Sequence, residues 1–443
     1  MKIKIPHNAQ FIIDRLYEYG FECFAVGGCV RDSIIGREVN DWDFTTNATP
    51  DQIELCFSEF TTVDIGKRFG TICVVIDGQN FEITTYRTES GYEDSRHPEE
   101  ISFSKNLSDD LSRRDFTVNA LAYNDQVGLV DEYGGLADLE YGIIRAIGDP
   151  DLRFSEDALR ILRALRFSSV LGFAIEHNTA QSILRNKDSL NLISGERILK
   201  ELSKLLCGKD VDLILRRYRE VIAVIIPEVS VMFDFDQKSL HHNKDLWRHT
   251  VSAVKNTPCD EILRTTMLLH DLGKPMTVST DKKGFCHFHN HPKLSAAMAA
   301  TILKRLHYPT SFINIVCILI EYHDVRLKPE TPMIKRCMRD IGAENTERLL
   351  SIQRSDILAQ SMYKREEKIA TLSAVVDEFE RIRNSNECYN LSMLEVNGKD
   401  IIHLGVSDGE KIGKVLNILL DEVIDGNLPN DKNSILLYAS TII

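Results

Sequence analysis

Apolar residues recur along this chain in two rhythms, and the change between them falls near residue 150. Before that point, short apolar runs of strand length alternate with helical stretches. Phe21 to Val26 predicts a buried strand, Cys29 to Ile35 a helix stopped by Gly36, and Asn40 to Thr45 a second strand. Thr71 to Ile76 and Phe81 to Tyr86, joined by Asp77-Gly78, predict a β-hairpin. A polar segment from Thr88 to Asp110, holding Tyr92, Asp94, Arg96, His97 and Pro98, follows. In a compact domain that length marks a functional or mobile connection. Leu111 to Leu121 then leads into another apolar strand. After Gly134-Gly135 and Gly148-Asp149-Pro150 the chain reads as helix after helix, with breaks near Ser194-Gly195, Gly208 and Pro227. From about Pro332 it is amphipathic and helical, with turns at Asn397-Gly398 and from Asn427 to Asn430. The pattern predicts an α+β protein of more than one domain, without internal repeats or low-complexity tracts.

Composition narrows the class. The chain has 443 residues, 43% hydrophobic and 27% charged, as in an ordinary soluble protein. Its ten cysteines include no Cys-x-x-Cys pair, which points away from zinc ribbons and disulfide frameworks and fits a reducing cytoplasm. Met1 to His7 lacks the apolar run of a signal peptide, and no stretch approaches a membrane span. A net charge of −13 argues against a non-specific coat on nucleic acid, so RNA contacts must be sought in local clusters. Oligomeric state is not encoded in any of these features.

The densest chemistry lies in Val26-Gly27-Gly28-Cys29-Val30-Arg31-Asp32 and Asp41-Trp42-Asp43. A glycine turn opening a helix offers free backbone N–H groups to a phosphate, and Arg31 stands close enough to clamp the same anion. On a strand Asp41 and Asp43 share one face and Trp42 takes the other. Neighbouring carboxylates repel unless a cation separates them, and oxygen-only ligands favour Mg²⁺. Glu82 opposes Phe81 and Ile83, and is either a third carboxylate of this set or a solvated strand residue. Arg113-Arg114-Asp115, with Asn119 behind, suits triphosphate and ribose contacts, or forms a solvated charge run.

Ser155 to Phe167 predicts one amphipathic helix begun by Ser155, with Ala158, Ile161, Leu162 and Leu165 on the apolar face. Arg160 and Arg163 lie opposite, with Asp157 and Arg166 at the edges. Three arginines at successive i, i+3 steps repel one another and imply an anionic partner. Asp157 and Arg160 together match cytosine or adenine: the carboxylate accepts from an exocyclic amino group while the guanidinium donates to a ring nitrogen. Uracil and guanine present the reverse pattern.

These segments, together with Tyr86-Arg-Thr-Glu-Ser-Gly-Tyr92, Arg113 to Ala120, Glu156 to Arg160 and Gly195-Glu-Arg-Ile198, resemble the bacterial-type (class II) CCA-adding tRNA nucleotidyltransferases. The tail, with Asn397-Gly-Lys-Asp400, Gly405, Ile412-Gly413 and Gly426, is similar to that family's C-terminal region, so the likeness spans nearly the whole chain. It implies a polymerase-β-like nucleotidyltransferase head (1–150), an all-α neck that binds nucleotide base and RNA (151–235), an HD-type body (236–330) and a helical tRNA-binding tail (331–443). It also implies template-independent addition of C, C and A to tRNA from CTP and ATP. By motif, Gly28 and Arg31, with Gly27 beside them, would hold the triphosphate. Asp41 and Asp43 would bind Mg²⁺, Arg114 would contact the nucleotide, and Asp157 and Arg160 would read the base near Arg163 and Arg166. An A-adding enzyme or a poly(A) polymerase is the nearest alternative.

A second metal signal runs through His249, His270-Asp271, His291 and His323-Asp324. Imidazoles and carboxylates from separate helices can converge on a divalent transition metal. The arrangement resembles HD-type phosphohydrolase domains, either active or a relic with incomplete ligation. In the extreme reading, this region is the working part and the N-terminal region only grips RNA.

Overall fold

The computed structural model describes residues 2–90, 100–239 and 243–443. The chain forms two compact units, Met1–Ile225 and Ile226–Ile443.

The first unit is built on a seven-stranded mixed sheet. Its strands are β1 (Cys23–Val26), β2 (Asp43–Thr46), β3 (Thr61–Gly66), β4 (Thr71–Ile76), β5 (Gln79–Thr85), β8 (Leu121–Asn124) and β9 (Gly128–Asp131), in the order β3-β4-β5-β2-β1-β8-β9. Two strands, β6 (Arg87–Ser90) and β7 (Glu100–Phe103), form a separate antiparallel pair. Tyr92, Asp94, Arg96, His97 and Pro98 fall outside the described residues. The expected hairpin is β4/β5, turning on Asp77 and Gly78, both at positive φ. Strand β2 runs parallel to β5, after a crossover through helix Pro50–Cys56, and this register sets Asp43 beside Glu82 and Phe44 beside Ile83. Phe24, Val26, Tyr86, Leu111, Ala120 and Ala122 pack as one buried cluster beneath β1 and β8.

Beyond residue 150 the unit is almost wholly helical, but the helix expected over 155–167 is two helices. Asp149 caps the first, Pro150–Glu156, by accepting from the Asp151 N–H, and Pro150 supplies its first turn. Ser155 lies inside it, bonded back to the Leu152 carbonyl. Asp157 is extended (φ −143°, ψ 102°), and its carboxylate accepts from Leu159 N as helix Leu159–Leu171 begins. That second helix is buried on most sides, with Ile161, Leu162 and Leu165 fully enclosed. It packs against Gly195–Leu206. A brief strand pair, Ile143–Ile144 with Ala174–Ile175, also departs from the all-helical expectation.

The second unit is a helical assembly that includes a short hairpin, Val278–Thr280 with Cys286–Phe288. Helices Leu246–Asn256 and Glu261–Leu269 pack on Ala343–Ala359, and His291–Arg305 packs on Thr310–Tyr322. The last helices, Gly398–His403, Gly409–Ile424 and Lys432–Ile442, surround their own core, which includes Ile401, Leu419, Leu420, Ile424 and Ile435. Among the described residues, no helix is long and apolar enough to cross a membrane.

Gly208 marks how tightly the helical part of the first unit is packed: a Cβ there would stand 2.0 Å from Ser169 Oγ and 2.6 Å from the Ser169 carbonyl carbon. Gly208→Ala should therefore destabilise this unit by about 1–3 kcal/mol. Chemical denaturation followed by circular dichroism should show an earlier midpoint.

Candidate active sites

In the first unit, exposure alternates along the acidic segment. Trp42 is 6% exposed and Phe44 1%, both in the core, whereas Asp41 and Asp43 are exposed. The two acids line a cleft of about 610 Å³ together with Gly27, Gly28, Arg31, Arg113, Arg114, Asp115, Asn119, Asp157, Arg160, Arg163, Arg166 and Arg197. Asp43 is held above the usual carboxylate range, first because surrounding protein strips water from it and further because Asp41 repels its charge, against the pull of Arg114. Glu82 is raised as well, by loss of water and then by Asp43 and Asp41. Two raised carboxylates with the Asp41 charge beside them suit a divalent cation.

The turn above them is set by glycine. Gly27 has φ 78° and ψ −127°, and a Cβ on it would come within 3.1 Å of Arg114 Nη1. The strained backbone and the guanidinium both exclude a side chain. Helix Gly28–Ile34 follows. Arg31 is buried, and its fork is taken by Asp32, with bonds of 2.9 and 2.8 Å, while Nη1 donates to Asn119 Oδ1 at 2.5 Å.

The arginines are fixed by buried acids. Asp110, fully enclosed, accepts from Arg113 Nε at 3.0 Å, Arg114 Nη2 at 3.0 Å and Thr45 Oγ1 at 3.0 Å. Burial would raise its pKa, but the two guanidiniums outweigh burial and hold it low. Asp115 accepts from Phe116 N and Asn119 Nδ2 through Oδ1, and from Arg163 Nε at 2.7 Å through Oδ2. Burial again pushes upward, yet Arg163 and Asn119 bring it down to about 2. Asp115, read from sequence as a nucleotide contact, thus has both oxygens engaged by protein.

Asp157 and Arg160 line the same cleft, each with another partner. Asp157 Oδ2 accepts from Arg197 Nη2 at 2.8 Å. Arg160 donates to Glu156 at 2.6 Å and to the carbonyls of Arg153 and Arg113. Arg166 meets Glu201 at 3.1 Å, and Arg31, Arg163 and Arg166 gather around the Phe167 ring at 5.0, 5.4 and 4.0 Å. Asp110, Glu156, Arg197 and Glu201 were missed from sequence. The i, i+3 and i+4 spacings of Asp110 to Arg113 and Arg114, and of Glu156 to Arg153 and Arg160, were usable signals; Arg197 and Glu201 depend on tertiary packing.

In the second unit, His249, His270, Asp271, His291 and His323 converge, all buried. His249 comes from helix Leu246–Asn256; His270 and Asp271 follow Glu261–Leu269. His291 begins its helix, and His323 closes Thr310–Tyr322. Nδ1 of His270, His291 and His323 bonds to the backbone carbonyls of Met267, Phe288 and Ile320 at 2.8, 2.7 and 2.6 Å. Nδ1 is therefore the donor in each ring, and the Nε2 lone pair faces the cluster. Burial lowers the pKa of His249, which favours the neutral ring that a metal requires. Asp271 would be raised by burial, but His270 and Lys274 hold it well below the usual range.

Asp324 is not in this cluster. It lies two residues past the helix end, with its side chain 47% exposed and paired to Arg326 at 2.7 Å. The inward carboxylate is instead Asp356, from helix Ala343–Ala359, 3.1 Å from His249 Nε2. The sequence reading took the acid next to the last histidine, whereas the fold draws one from a helix further along.

Comparisons with known proteins agree with the sheet and cleft. Residues 23–145 match the poly A polymerase head domain, 172–232 the probable RNA and SrmB-binding site of polymerase A, and 276–439 the putative tRNA nucleotidyltransferase domain 2. Head, cleft and matches together define a nucleotidyltransferase. The CCA-adding enzyme of Ligilactobacillus salivarius is 31% identical, over 98% of this chain and 95% of its own. That of Lactobacillus delbrueckii subsp. bulgaricus is 47% identical over 46% of this chain and 51% of its own. The Bacillus stearothermophilus CCA-adding enzyme, solved in complex with CTP, superposes with TM-score 0.76 at 25% identity, covering 98% of this chain and 96% of that one. The Thermotoga maritima CCA-adding enzyme complexed with tRNA shares the fold at TM-score 0.59 and 20% identity, over the full length of both chains. The chain belongs to the family of CCA-adding enzymes.

Because Asp43 and Glu82 hold protons above the ordinary carboxylate pKa of about 4, a cation binding there must displace them. Its affinity should rise as pH rises through that raised range. The Mn²⁺ bound by the wild-type chain beyond that bound by an Asp41→Ala/Asp43→Ala variant, measured by electron paramagnetic resonance, should begin to fall at a higher pH than ordinary carboxylates would dictate as the solution is acidified. A flat profile would contradict this account.

Proposed function

We propose that the protein adds C, C and A stepwise to the 3′ end of tRNA, taking CTP and ATP and releasing pyrophosphate, with no nucleic-acid template. The observation that carries this reading is the alternation at Asp41-Trp42-Asp43, which presents two carboxylates, with Glu82 in register, to a cleft walled by arginines. In each round the 3′-hydroxyl oxygen bonds to the α-phosphorus, the bond to the β-phosphate oxygen breaks, and the hydroxyl proton is lost. Asp41, Asp43 and Glu82 would hold Mg²⁺, which supplies charge neutralisation at the triphosphate and a lower pKa at the attacking hydroxyl. The Gly27-Gly28 turn leaves room for the triphosphate, and Arg114 against Gly27 supplies positive charge beside it.

Base choice falls to Asp157 and Arg160. For a cytosine or adenine edge to be read, Asp157 must trade Arg197 for an exocyclic amino group, and Arg160 must turn a donor from Glu156 to a ring nitrogen. Uracil or guanine would break both ion pairs and leave the groups facing like partners. In this reading 1–150 is the catalytic head, 151–235 the neck and 331–443 a tRNA-binding tail, and the protein works in the cytoplasm.

A second reading applies to the region from 236 to 330. There the Nε2 atoms aimed by backbone carbonyls, with Asp271 and Asp356, favour a divalent transition metal and an accessory hydrolase of the HD type.

The direct test supplies tRNA lacking its CCA end with labelled CTP, then ATP. Two C and one A additions are expected, and Asp41→Ala should abolish them while tRNA binding persists. Addition of A alone would favour the A-adding alternative. Asp157→Ala should slow addition and raise UTP or GTP misincorporation relative to CTP; unchanged selectivity would remove the base-reading role.

A further inference from the structure

We propose that Phe167 is a positioning residue for the polyphosphate of the incoming nucleotide: its ring seats the guanidiniums of Arg31, Arg163 and Arg166, so that three like charges stand together on one wall of the cleft. The proposal rests on the reading of that cleft as a nucleotide site and adds to it an apolar residue that acts through the arginines.

Three guanidiniums in so small a space repel one another, and some group must hold them there. They come from two helices. Arg31 belongs to Gly28–Ile34, whereas Arg163 and Arg166 lie on Leu159–Leu171 together with Phe167 itself. Helical spacing sets Arg163 on the same face as Phe167, but only tertiary packing brings in Arg31. The central carbons of the three guanidiniums stand 5.0, 5.4 and 4.0 Å from the ring centroid for Arg31, Arg163 and Arg166. At that range the negative face of an aromatic ring attracts a cation. Phe116 meets the same ring at 5.9 Å with the two planes 81° apart, which fixes its tilt. Phe167 is 8% exposed and lines the cleft, so the attraction acts with little water to weaken it.

The polar partners do not account for the grouping. Asp32 and Asn119 take Arg31, Asp115 takes Arg163, and Glu201 lies beside Arg163 and Arg166 but not Arg31. Among the described residues, the Phe167 ring is the group that all three share.

Arg166, nearest the ring, is also the least satisfied. Its Nε stands 3.1 Å from Glu201 Oε2, yet neither atom closes a well-formed hydrogen bond. Loss of water lowers its pKa to about 10, with Arg163 and Arg31 adding repulsion against the pull of Glu201. A charge held under those conditions gains from an anion, and the planar fork of a guanidinium suits phosphate oxygens. The ring holds the fork in the cleft without spending its donors, which a carboxylate in the same place would do.

The test uses the full chain with Mg²⁺, tRNA lacking its CCA end and CTP, with inorganic tripolyphosphate as the competing probe. Phe167→Leu keeps an apolar side chain but removes the ring face. KM for CTP and the inhibition constant of tripolyphosphate should both rise about tenfold, with kcat changed much less, as the loss of a binding contact requires. Phe167→Tyr, which retains the face, should recover most of that loss. A role in packing alone predicts the reverse order, because leucine is tolerated where a buried hydroxyl is not. Since Phe167→Leu also alters packing, the decisive series replaces Phe167 alone by its mono-, di- and trifluorinated analogues, which nearly keep the ring's shape and withdraw charge from its face. The inhibition constant should climb step by step with fluorination, while the preference for CTP over UTP holds. Loss of that preference in parallel would mark a collapsed wall and overturn the proposal. A constant that stays level across the series, in chains that still add C, C and A, would overturn the role of the ring and leave the nucleotide site standing. An unsubstituted chain that neither adds nucleotides nor binds tripolyphosphate would overturn both.

Discussion

The N-terminal unit depends on a carboxylate that never meets the cleft's contents as a free group. Asp115, almost fully buried, ties Asn119 to Arg163, and Asn119 in turn holds Arg31, whose other face is clamped by Asp32. One chain of charge-assisted bonds thus runs from the helix after the glycine turn, through the motif at 113–119, to helix Leu159–Leu171. Burying charges is costly unless every partner is present, so each of these segments is held by the others. The cleft has a rigid wall for this reason, and of its guanidiniums Arg114 is the one whose charge acts on Asp43.

Much of this was legible in the sequence. The glycine turn, the alternating acids and the β4/β5 hairpin follow from local rules about positive φ, strand alternation and Asp-Gly turns. What was not legible came partly from competing local caps and partly from tertiary packing. The Asp149 cap moved a helix start five residues upstream of Ser155, since a good cap with a proline behind it outcompetes a later serine. Asp157 was placed on a helix face but is the break between two helices, and it caps the second. Arg160 reads as solvent-facing by periodicity, yet Glu156 and two carbonyls enclose it. The mistaken Asp324 has the same origin: sequence adjacency suggested a ligand, and a helix from far along the chain brought Asp356 instead.

The two side-chain clusters also differ in donor chemistry. The head offers carboxylate oxygens alone, at an open cleft floor, as a hard and well-hydrated ion prefers. The C-terminal cluster offers mostly imidazole nitrogen in a buried setting, which suits borderline ions higher in the Irving–Williams order. The two donor sets therefore differ in which divalent ions they would favour.

In many metal centres an outer carboxylate fixes which imidazole tautomer is present. Here, for His270 and His323, the terminal turn of each histidine's own helix does so through the carbonyl three residues back, and for His291 the chain just ahead of its helix does the same. The ring orientations are consequently set by the backbone rather than by anything held between the rings. A ring that turned away would forfeit a buried bond to its own backbone, so the shape of the cluster belongs to the helix ends themselves.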